Sequence, residues 1–316
     1  MTKNNNNEKK KSSTRKKKDL VEIFGHKPTD LSKSARSLWN MGACPFTKVQ
    51  CTKINHDQTI IYGTCSVTST FGDVVICPNR LYANDYESIK TVAREAFPQV
   101  TEVLMFSDYV ERRDELNECI VALGKGSGRE VQLKTRLSMD WVLAHVRDGK
   151  LIEYVGAEVQ SIDITGNYRD AWHFYNNLTT DSDLSKCPSS GHGLNWANVH
   201  KRLIPQLIRK GVVYSRSKLV KRGLFFVLPD IVYRKFEDIV GDDIPTVESK
   251  DYDQTTLTVH TYELGELKAD GEIRELQLKR SIHISLEDFS NRFVSGPNLP
   301  SGEDMDQAVA KVLGLL

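Results

Sequence analysis

A short hairpin of apolar, β-prone residues is the feature that most constrains the fold of this chain. Residues 140–146 form one β-like run, residues 147–150 (Arg-Asp-Gly-Lys) have the composition of a tight turn, and residues 151–164 form a second run. In such a hairpin, Glu158 returns to the neighbourhood of Asp140. Alternation along the strand places Glu158 and Gln160 on the same face. We therefore expect two carboxylates and one amide to converge inside an otherwise apolar sheet.

These converging acidic side chains have a chemical consequence. Buried carboxylates are costly unless a cation neutralises them, and oxygen ligands of this kind suit Mg²⁺. The pattern Asp140…Glu158-x-Gln160 follows the logic of the PD-(D/E)xK nucleases, with Gln in the position where Lys is usual. Gln160 carries no charge, but its amide can orient an attacking water by hydrogen bonding. The alternative is a surface hairpin with scattered carboxylates.

The same Glu-Val-Gln triplet also occurs earlier in the chain, at residues 130–132. No apolar strand that begins with Asp precedes this copy at hairpin distance. The residues just before it, 124–129 (Gly-Lys-Gly-Ser-Gly-Arg), have the composition of a flexible loop. We therefore expect the site at residues 140–160 and not at residues 130–132.

Four of the six cysteines, Cys44, Cys51, Cys65 and Cys77, fall within 34 residues. A cytosolic protein rarely keeps disulfides, so the cluster favours a metal site, and a structural metal ion would then drive local folding. The alternative is four reduced, partly buried thiols. Of the other two cysteines, Cys119 is expected in the core. The last, Cys187, is expected in a polar turn, although it could pair with His192 as a ligand.

The net charge is unevenly distributed along the chain. Residues 1–18 hold eight Lys or Arg and one Glu, a net charge of +7, which leaves −6 on the remainder because the whole chain carries +1. A basic arm of this kind adds sequence-independent affinity for DNA; a solvated, disordered tail is the alternative. No apolar run approaches the roughly 20 residues of a membrane span, and the N-terminus lacks the apolar core of a secretory signal. We therefore expect a cytoplasmic protein without a membrane partner.

Strands that interleave with helices predict an α/β (α+β) fold with a mixed central sheet flanked by helices. Three regions are expected: a basic tail at 1–18, an N-terminal segment with the four-cysteine knot at 19–85, and the catalytic domain at 86–316. A short helix is predicted within 19–40, with Asp30 as its N-cap. The other predicted helices are 86–97, 168–178, 194–210, 229–240 and 306–315, and the other predicted strands are 102–106, 118–123, 223–228, 255–264 and 275–284.

Taken in order, these motifs resemble the restriction endonucleases of the NotI type. The resemblance covers most of residues 30–240. It is carried by the following segments: Cys44-Pro45-Phe46, Cys51-Thr52-Lys53, Gly63-Thr64-Cys65-Ser66-Val67, Ile76-Cys77-Pro78-Asn79-Arg80, Met139-Asp140-Trp141-Val142-Leu143, Gly156-Ala157-Glu158-Val159-Gln160-Ser161 and Gly166-Asn167-Tyr168.

The resemblance implies a PD-(D/E)xK core and a homodimer that cuts a palindromic, G- and C-rich site in double-stranded DNA. It implies that Asp140, Glu158 and Val159 bind Mg²⁺ and that Gln160 occupies the usual lysine position. It also implies that the four clustered cysteines hold iron, although thiolate chemistry alone would allow zinc.

Two other functions stay open from the sequence: a DNA-binding protein that does not cut, and a PD-(D/E)xK nuclease without site specificity. Arg80 and the basic residues 216–222 are the predicted base-reading groups, with a solvated charged face as the alternative for the second.

Overall fold

A computed structural model describes residues 17–132, 138–297 and 299–315 of the chain. The predicted basic tail lies outside the described residues except for its last two lysines. Lys18 Nζ donates to the carbonyl oxygen of His192 at 2.8 Å, and Lys17 Nζ donates to that of Cys187. The end of the basic segment is therefore anchored to the loop at residues 187–192.

The described residues form short strands and helices in alternation along the chain. The strands are β1 Leu20–Ile23, β2 Thr64–Ser69, β3 Gly72–Val75, β4 Val103–Met105, β5 Glu118–Gly124, β6 Val131–Gln132, β7 Ser138–Met139, β8 Trp141–Arg147, β9 Lys150–Val159, β10 Ile164–Thr165, β11 Gly193–Leu194, β12 Leu224–Pro229, β13 Thr256–Leu264 and β14 Leu276–Ser285. The α-helices are α1 Lys33–Met41, α2 Ala83–Ala96, α3 Phe106–Arg112, α4 Arg169–Asn176, α5 Ile204–Ser215, α6 Asp230–Val240, α7 Leu286–Ser295 and α8 Gly302–Val312. A π-helical turn, Val199–Leu203, leads directly into α5.

The centre of the molecule is a seven-stranded sheet with the order β14-β13-β12-β9-β8-β5-β4. Strand β12 is parallel to both of its neighbours, β4 is parallel to β5, and the remaining pairs are antiparallel. Helices pack on both faces of the sheet. The predicted α/β class, with a mixed central sheet flanked by helices, is confirmed.

The two faces of the sheet are built by alternate residues of its strands. Phe226 packs on one face with Leu207 of α5, whereas Phe225 packs on the other face with Ile89 of α2. The neighbours of Glu158 along β9, Ala157 and Val159, belong to the α2 face. Alternation therefore turns Glu158 towards α5.

The N-terminal region forms a smaller three-stranded sheet, β1-β2-β3. Its buried residues, such as Ile23 and Cys65, belong to the same hydrophobic cluster as Leu257 of the central sheet. The predicted domain boundary between residues 85 and 86 stays a prediction.

The local prediction for residues 19–40 is partly wrong. Residues Leu20–Ile23 form a strand, because they pair with β2. Helix α1 begins after Ser32, whose Oγ accepts a hydrogen bond from the N–H of Ala35. Asp30 does not cap the helix; its carboxylate instead binds the N–H groups of Ser32 and Gly271. Tertiary contacts therefore decide both elements.

Among the described residues, no helix combines the length and the apolar character that crossing a bilayer requires.

Candidate functional site

The hairpin of β8 and β9 brings the predicted acidic residues together. Its two-residue turn, Asp148-Gly149, has φ values of 49° and 69°, as a type I′ turn requires. From this turn, the pairing passes through a register shift of one residue at Ile152 and then runs to Trp141 opposite Ala157. Asp140 comes directly before Trp141 and Glu158 directly after Ala157, so the two carboxylates lie level on neighbouring strands. The hairpin juxtaposes them as the sequence predicts.

The carboxylate of Asp140 is held by the main chain and the amide at the end of β9. Its Oδ2 accepts a hydrogen bond from the N–H of Val159 at 3.0 Å and one from Gln160 Nε2 at 3.4 Å. The N–H of Gln160 in turn donates to the carbonyl of Val227 at 3.0 Å, which ties this segment to β12. All four residues predicted to act at the site, including Val159, therefore meet in one place.

Glu158 is buried, with only 3% of its surface exposed. Its Oε2 accepts a hydrogen bond from Lys210 Nζ, which reaches down from α5. Its Oε1 is also buried and has no hydrogen-bond partner in the part of the chain that the structure describes. A buried carboxylate oxygen without a partner is costly, so this atom marks a place where a ligand would be stabilising.

Lys210 is the functional group that sequence reasoning missed. It lies far from the motif along the chain, in the apolar face of α5 between the buried residues Leu207 and Tyr214. A lysine within an apolar helical stripe requires a buried acidic partner. That position in the stripe is the signal that points to a partner, although it does not identify Glu158.

The charges of the site are incompletely balanced. Burial and the neighbouring negative charge of Asp140 raise the pKa of Glu158 to about 8, although the Lys210 ammonium opposes this shift. Two carboxylates face one ammonium group, which leaves one negative charge when both acids are ionised. The raised pKa is the electrostatic consequence, because a proton partly fills the role of a missing cation.

The acidic pair contributes to the pKa shifts of two nearby tyrosines. Burial, together with the charges of Asp140 and Glu158, raises the pKa of both Tyr82 and Tyr214, so both phenols stay neutral. The ring of Tyr214 lies directly over Gly156, where an added Cβ would approach Cζ to 2.1 Å. Glycine is therefore required at this point of β9, and any side chain there would displace a residue close to the site.

Two adjoining hollows connect Glu158 with the outside. The inner cavity has a volume of ≈ 10 Å³ and is lined by Glu158, Gln160, Gln206 and Lys210 with apolar neighbours. This is room for about one water-sized ligand. The outer cleft has a volume of ≈ 210 Å³, and its lining includes Gln160, Gln206, Lys53, Asn198 and Arg202. Gln160 and Gln206 line both hollows.

The second Glu-Val-Gln triplet lacks all of these features. Its Val131 and Gln132 form the two-residue strand β6, and Glu130, just before that strand, is exposed. The only hydrogen bond of the Glu130 carboxylate in the described residues comes from Gln132 at 3.3 Å. The distinction that the sequence predicts between the two triplets agrees with this geometry.

The four clustered cysteines are buried and reduced. Burial raises the pKa of the Cys77 thiol to about 11 and that of Cys65 as well, and the nearby thiols, Cys44 among them, contribute to both shifts. In residues 17–132, 138–297 and 299–315, however, no three His, Cys, Asp or Glu side chains are arranged so that they could hold a metal ion. The iron or zinc site therefore stays a prediction, and no step of the chemistry below depends on it.

The two other cysteines occupy separate surroundings. Cys119 is buried in β5, which confirms the prediction that it belongs to the core. Cys187 directly follows a short 3₁₀ turn and is buried, and no hydrogen bond joins it to His192 among the described residues. The ring nitrogens of His192 contact the Oγ of Ser190 at 2.6 Å and the carbonyl of Thr68 at 2.9 Å.

Arg80, a predicted base-reading residue, is fully buried beside the cysteine segment. Its guanidinium forms two hydrogen bonds with the carboxylate of Glu22, each 3.0 Å long. Both side chains have 0% exposure. Base reading requires an exposed side chain, so the prediction for Arg80 is wrong.

Comparison of the chain with models of known protein families and with curated proteins gave no match. The function must therefore be inferred from the chemistry of the site.

Proposed function

We propose that this protein is a Mg²⁺-dependent endonuclease of the restriction type, which hydrolyses phosphodiester bonds in double-stranded DNA at a PD-(D/E)xK-like site. The observation that carries the proposal is the juxtaposition of Asp140 and Glu158, with Oε1 of Glu158 buried and without a partner. The order of the sequence motifs, which resembles that of the NotI-type enzymes, supports the same function.

The acidic pair fits a divalent cation. Mg²⁺ is usually bound through one or two carboxylates, and it keeps several waters or substrate oxygens as further ligands. Asp140, Glu158 and the main-chain carbonyl of Val159 would hold it, and the unpartnered oxygen of Glu158 would then be satisfied. When bound, the cation lowers the pKa of its water and stabilises charge that develops on the phosphate.

The uncharged and cationic residues around the pair have separate roles. Gln160 donates to Asp140 and lines both hollows, so its amide is placed to position the carboxylate and an incoming water. Lys210 contacts Glu158 and supplies the positive charge that the Gln of the motif lacks. Lys210 is therefore proposed as a positioning residue that favours the ionised form of Glu158.

The Lys210→Met variant tests this role through its pH profile. Because the ammonium lowers the pKa of Glu158, its loss should raise that pKa further and leave more of the acid protonated at pH 7. We expect the cleavage rate to fall by about 10- to 100-fold at pH 7, on the order of one to two pKa units, and the deficit to shrink by pH 9.

The control for this variant is Lys33→Met, which removes an exposed positive charge from α1. It should leave the pH profile unchanged. A Lys210→Met enzyme whose rate falls equally at pH 7 and pH 9 would show that Lys210 stabilises the helix and does not tune Glu158.

A second candidate function is suggested by the contact between Glu158 and Lys210. A buried ion pair that joins α5 to the sheet is also what a non-cleaving DNA-binding protein could contain. The unpartnered Oε1 of Glu158 and the raised pKa favour the nuclease, because a purely structural pair is normally satisfied by additional hydrogen bonds.

The direct test is digestion of a sequenced plasmid with and without Mg²⁺, followed by mapping of the product ends. One site cuts one strand, so a double-strand break requires two copies, and we propose a homodimer on a palindromic, GC-rich sequence. Discrete fragments that appear only with Mg²⁺ are expected. A smear of fragments would indicate a nuclease without site specificity, and intact plasmid would favour the non-cleaving DNA-binding protein.

A further inference from the structure

One long segment of the chain contains basic residues and no acidic ones. Residues 184–229 hold nine Lys or Arg and no Asp or Glu, although the whole chain has a net charge of only +1. The segment includes the π-helical turn, α5 and the loop that leads to β12. Its positive charge is therefore concentrated on the elements that cover the candidate active site.

Most of these basic side chains are exposed and have no ion-pair partner within the described residues. Seven of them share both properties: Lys186, Lys201, Arg202, Arg209, Arg216, Lys218 and Lys221. Lys210 differs because it turns inward to Glu158. Elsewhere, basic residues such as Arg147 and Lys279 are paired with a carboxylate. An unneutralised row of cations is a surface that attracts a polyanion.

The first part of this row of basic residues lies along the axis of a helical segment. The helical run from Val199 to Ser215 extends for about 25 Å, at roughly 1.5 Å per residue. It begins at the outer cleft, where Arg202 and Lys53 contribute to the same lining, and it passes Glu158 at Lys210. A length of about 25 Å corresponds to roughly seven phosphate steps along one strand of a duplex, at about 3.4 Å each.

We propose that the basic face formed by residues 199–222 is the surface on which duplex DNA lies, and that Arg202 and Lys53 hold the phosphate nearest to the inner cavity. This inference deepens the proposed function and rests on it for the choice of DNA as the polyanion. Cations spread over this length fit a polymer of phosphates, whereas a single small anion would contact only one or two of them.

The salt dependence of DNA binding tests the proposal without cleavage. Binding of the full chain to a fluorescent duplex is measured in EDTA at several salt concentrations, for the wild type and for the double variant Lys201→Ala/Arg202→Ala. Each lost phosphate contact reduces the slope of log Kobs against log salt concentration by about 0.9. We expect the plot for this variant to be less steep, with a slope about 1.8 smaller in magnitude. Its affinity should also fall at every salt concentration tested.

The control is the double variant Lys33→Ala/Lys125→Ala, which also removes two exposed positive charges without an ion-pair partner in the described residues. It retains the basic tail and should bind with the slope of the wild type. Equal changes in both double variants would overturn the proposal, because net charge alone would explain them. An unchanged slope for Lys201→Ala/Arg202→Ala would also overturn it. This holds even if the variant no longer binds anionic lipid vesicles. The salt-dependence assay measures binding and not cleavage. Failure of the basic-face proposal can therefore be distinguished from failure of the plasmid digestion that tests the proposed function.

Discussion

DNA cleavage by the Glu158→Gln variant is expected to fall by about 10³-fold or more, while its affinity for the duplex stays close to that of the wild type. Glutamine keeps the shape of the side chain and a polar contact with Lys210, but it removes the negative charge that would hold the cation. A loss of this order is typical when a group that acts in the transition state is removed. The basic face that we propose for DNA binding does not include Glu158, so binding should survive.

The matched control for this variant is Glu130→Gln. It changes the glutamate of the other Glu-Val-Gln triplet, which is exposed and lies just before strand β6. Cleavage is followed by plasmid digestion with Mg²⁺, and binding by fluorescence anisotropy in EDTA. Cleavage by Glu158→Gln at the rate of the Glu130→Gln control would show that the acidic pair is not the catalytic site. Loss of both cleavage and binding, with the control unaffected, would instead place Glu158 in the recognition surface or in the stability of the fold.

The hairpin shows what local sequence can predict. A two-residue Asp-Gly turn with both residues at positive φ fixes the pairs next to it, Arg147 with Lys150 and Val146 with Leu151. Beyond these pairs Ile152 has no partner, and the register shifts by one residue. Once the turn is fixed, period-2 alternation places Glu158 and Gln160 on one face. The return of β9 to Asp140 was therefore predictable from one contiguous stretch of the chain. The register shift at Ile152, which sets Glu158 and not Ala157 level with Asp140, was not.

The parts that the sequence did not predict depend on contacts between distant segments. Lys210 reaches Glu158 only because α5 packs on β9 and β12, and no local pattern fixes which acid it meets. Strand β1 pairs with β2, a segment more than forty positions later in the chain, and the local sequence did not predict this pairing. Helix α7 was not predicted either, although Ser285 caps it clearly. In each case tertiary packing outweighs local preference.

The error over Arg80 has the same origin. Next to a cysteine cluster, an arginine in a Cys-Pro-Asn-Arg sequence has the appearance of an exposed recognition residue. In the structure, Arg80 Nε donates a hydrogen bond of 3.0 Å to the carboxylate of Glu22. Glu22 lies on β1, more than fifty positions earlier in the chain. Charge and neighbouring residues alone do not distinguish a basic group that faces DNA from one that is neutralised in the interior.

The Arg80→Met variant is expected to be strongly destabilised. The guanidinium binds Glu22 through two nitrogens, donates to the main-chain carbonyl of Arg274 at 2.7 Å, and lies over the ring of Phe46 with its Cζ 4.9 Å from the centroid. Its removal leaves the Glu22 carboxylate buried, and among the described residues only the hydroxyl of Ser66 remains as a side-chain donor to it. Breaking one partner of such a pair costs about 3–5 kcal/mol in the free energy of unfolding.

The double variant Glu22→Gln/Arg80→Met separates this explanation from others, because it removes the stranded charge together with its partner. Urea unfolding followed by circular dichroism should place its midpoint above that of Arg80→Met, and this comparison holds even if the single variant unfolds at very low urea. The control variant Arg209→Met removes an exposed arginine, and its midpoint should stay close to that of the wild type. If Arg80→Met instead keeps the wild-type midpoint and loses affinity for DNA, the buried ion pair does not exist in solution and Arg80 contacts DNA, as the sequence first indicated.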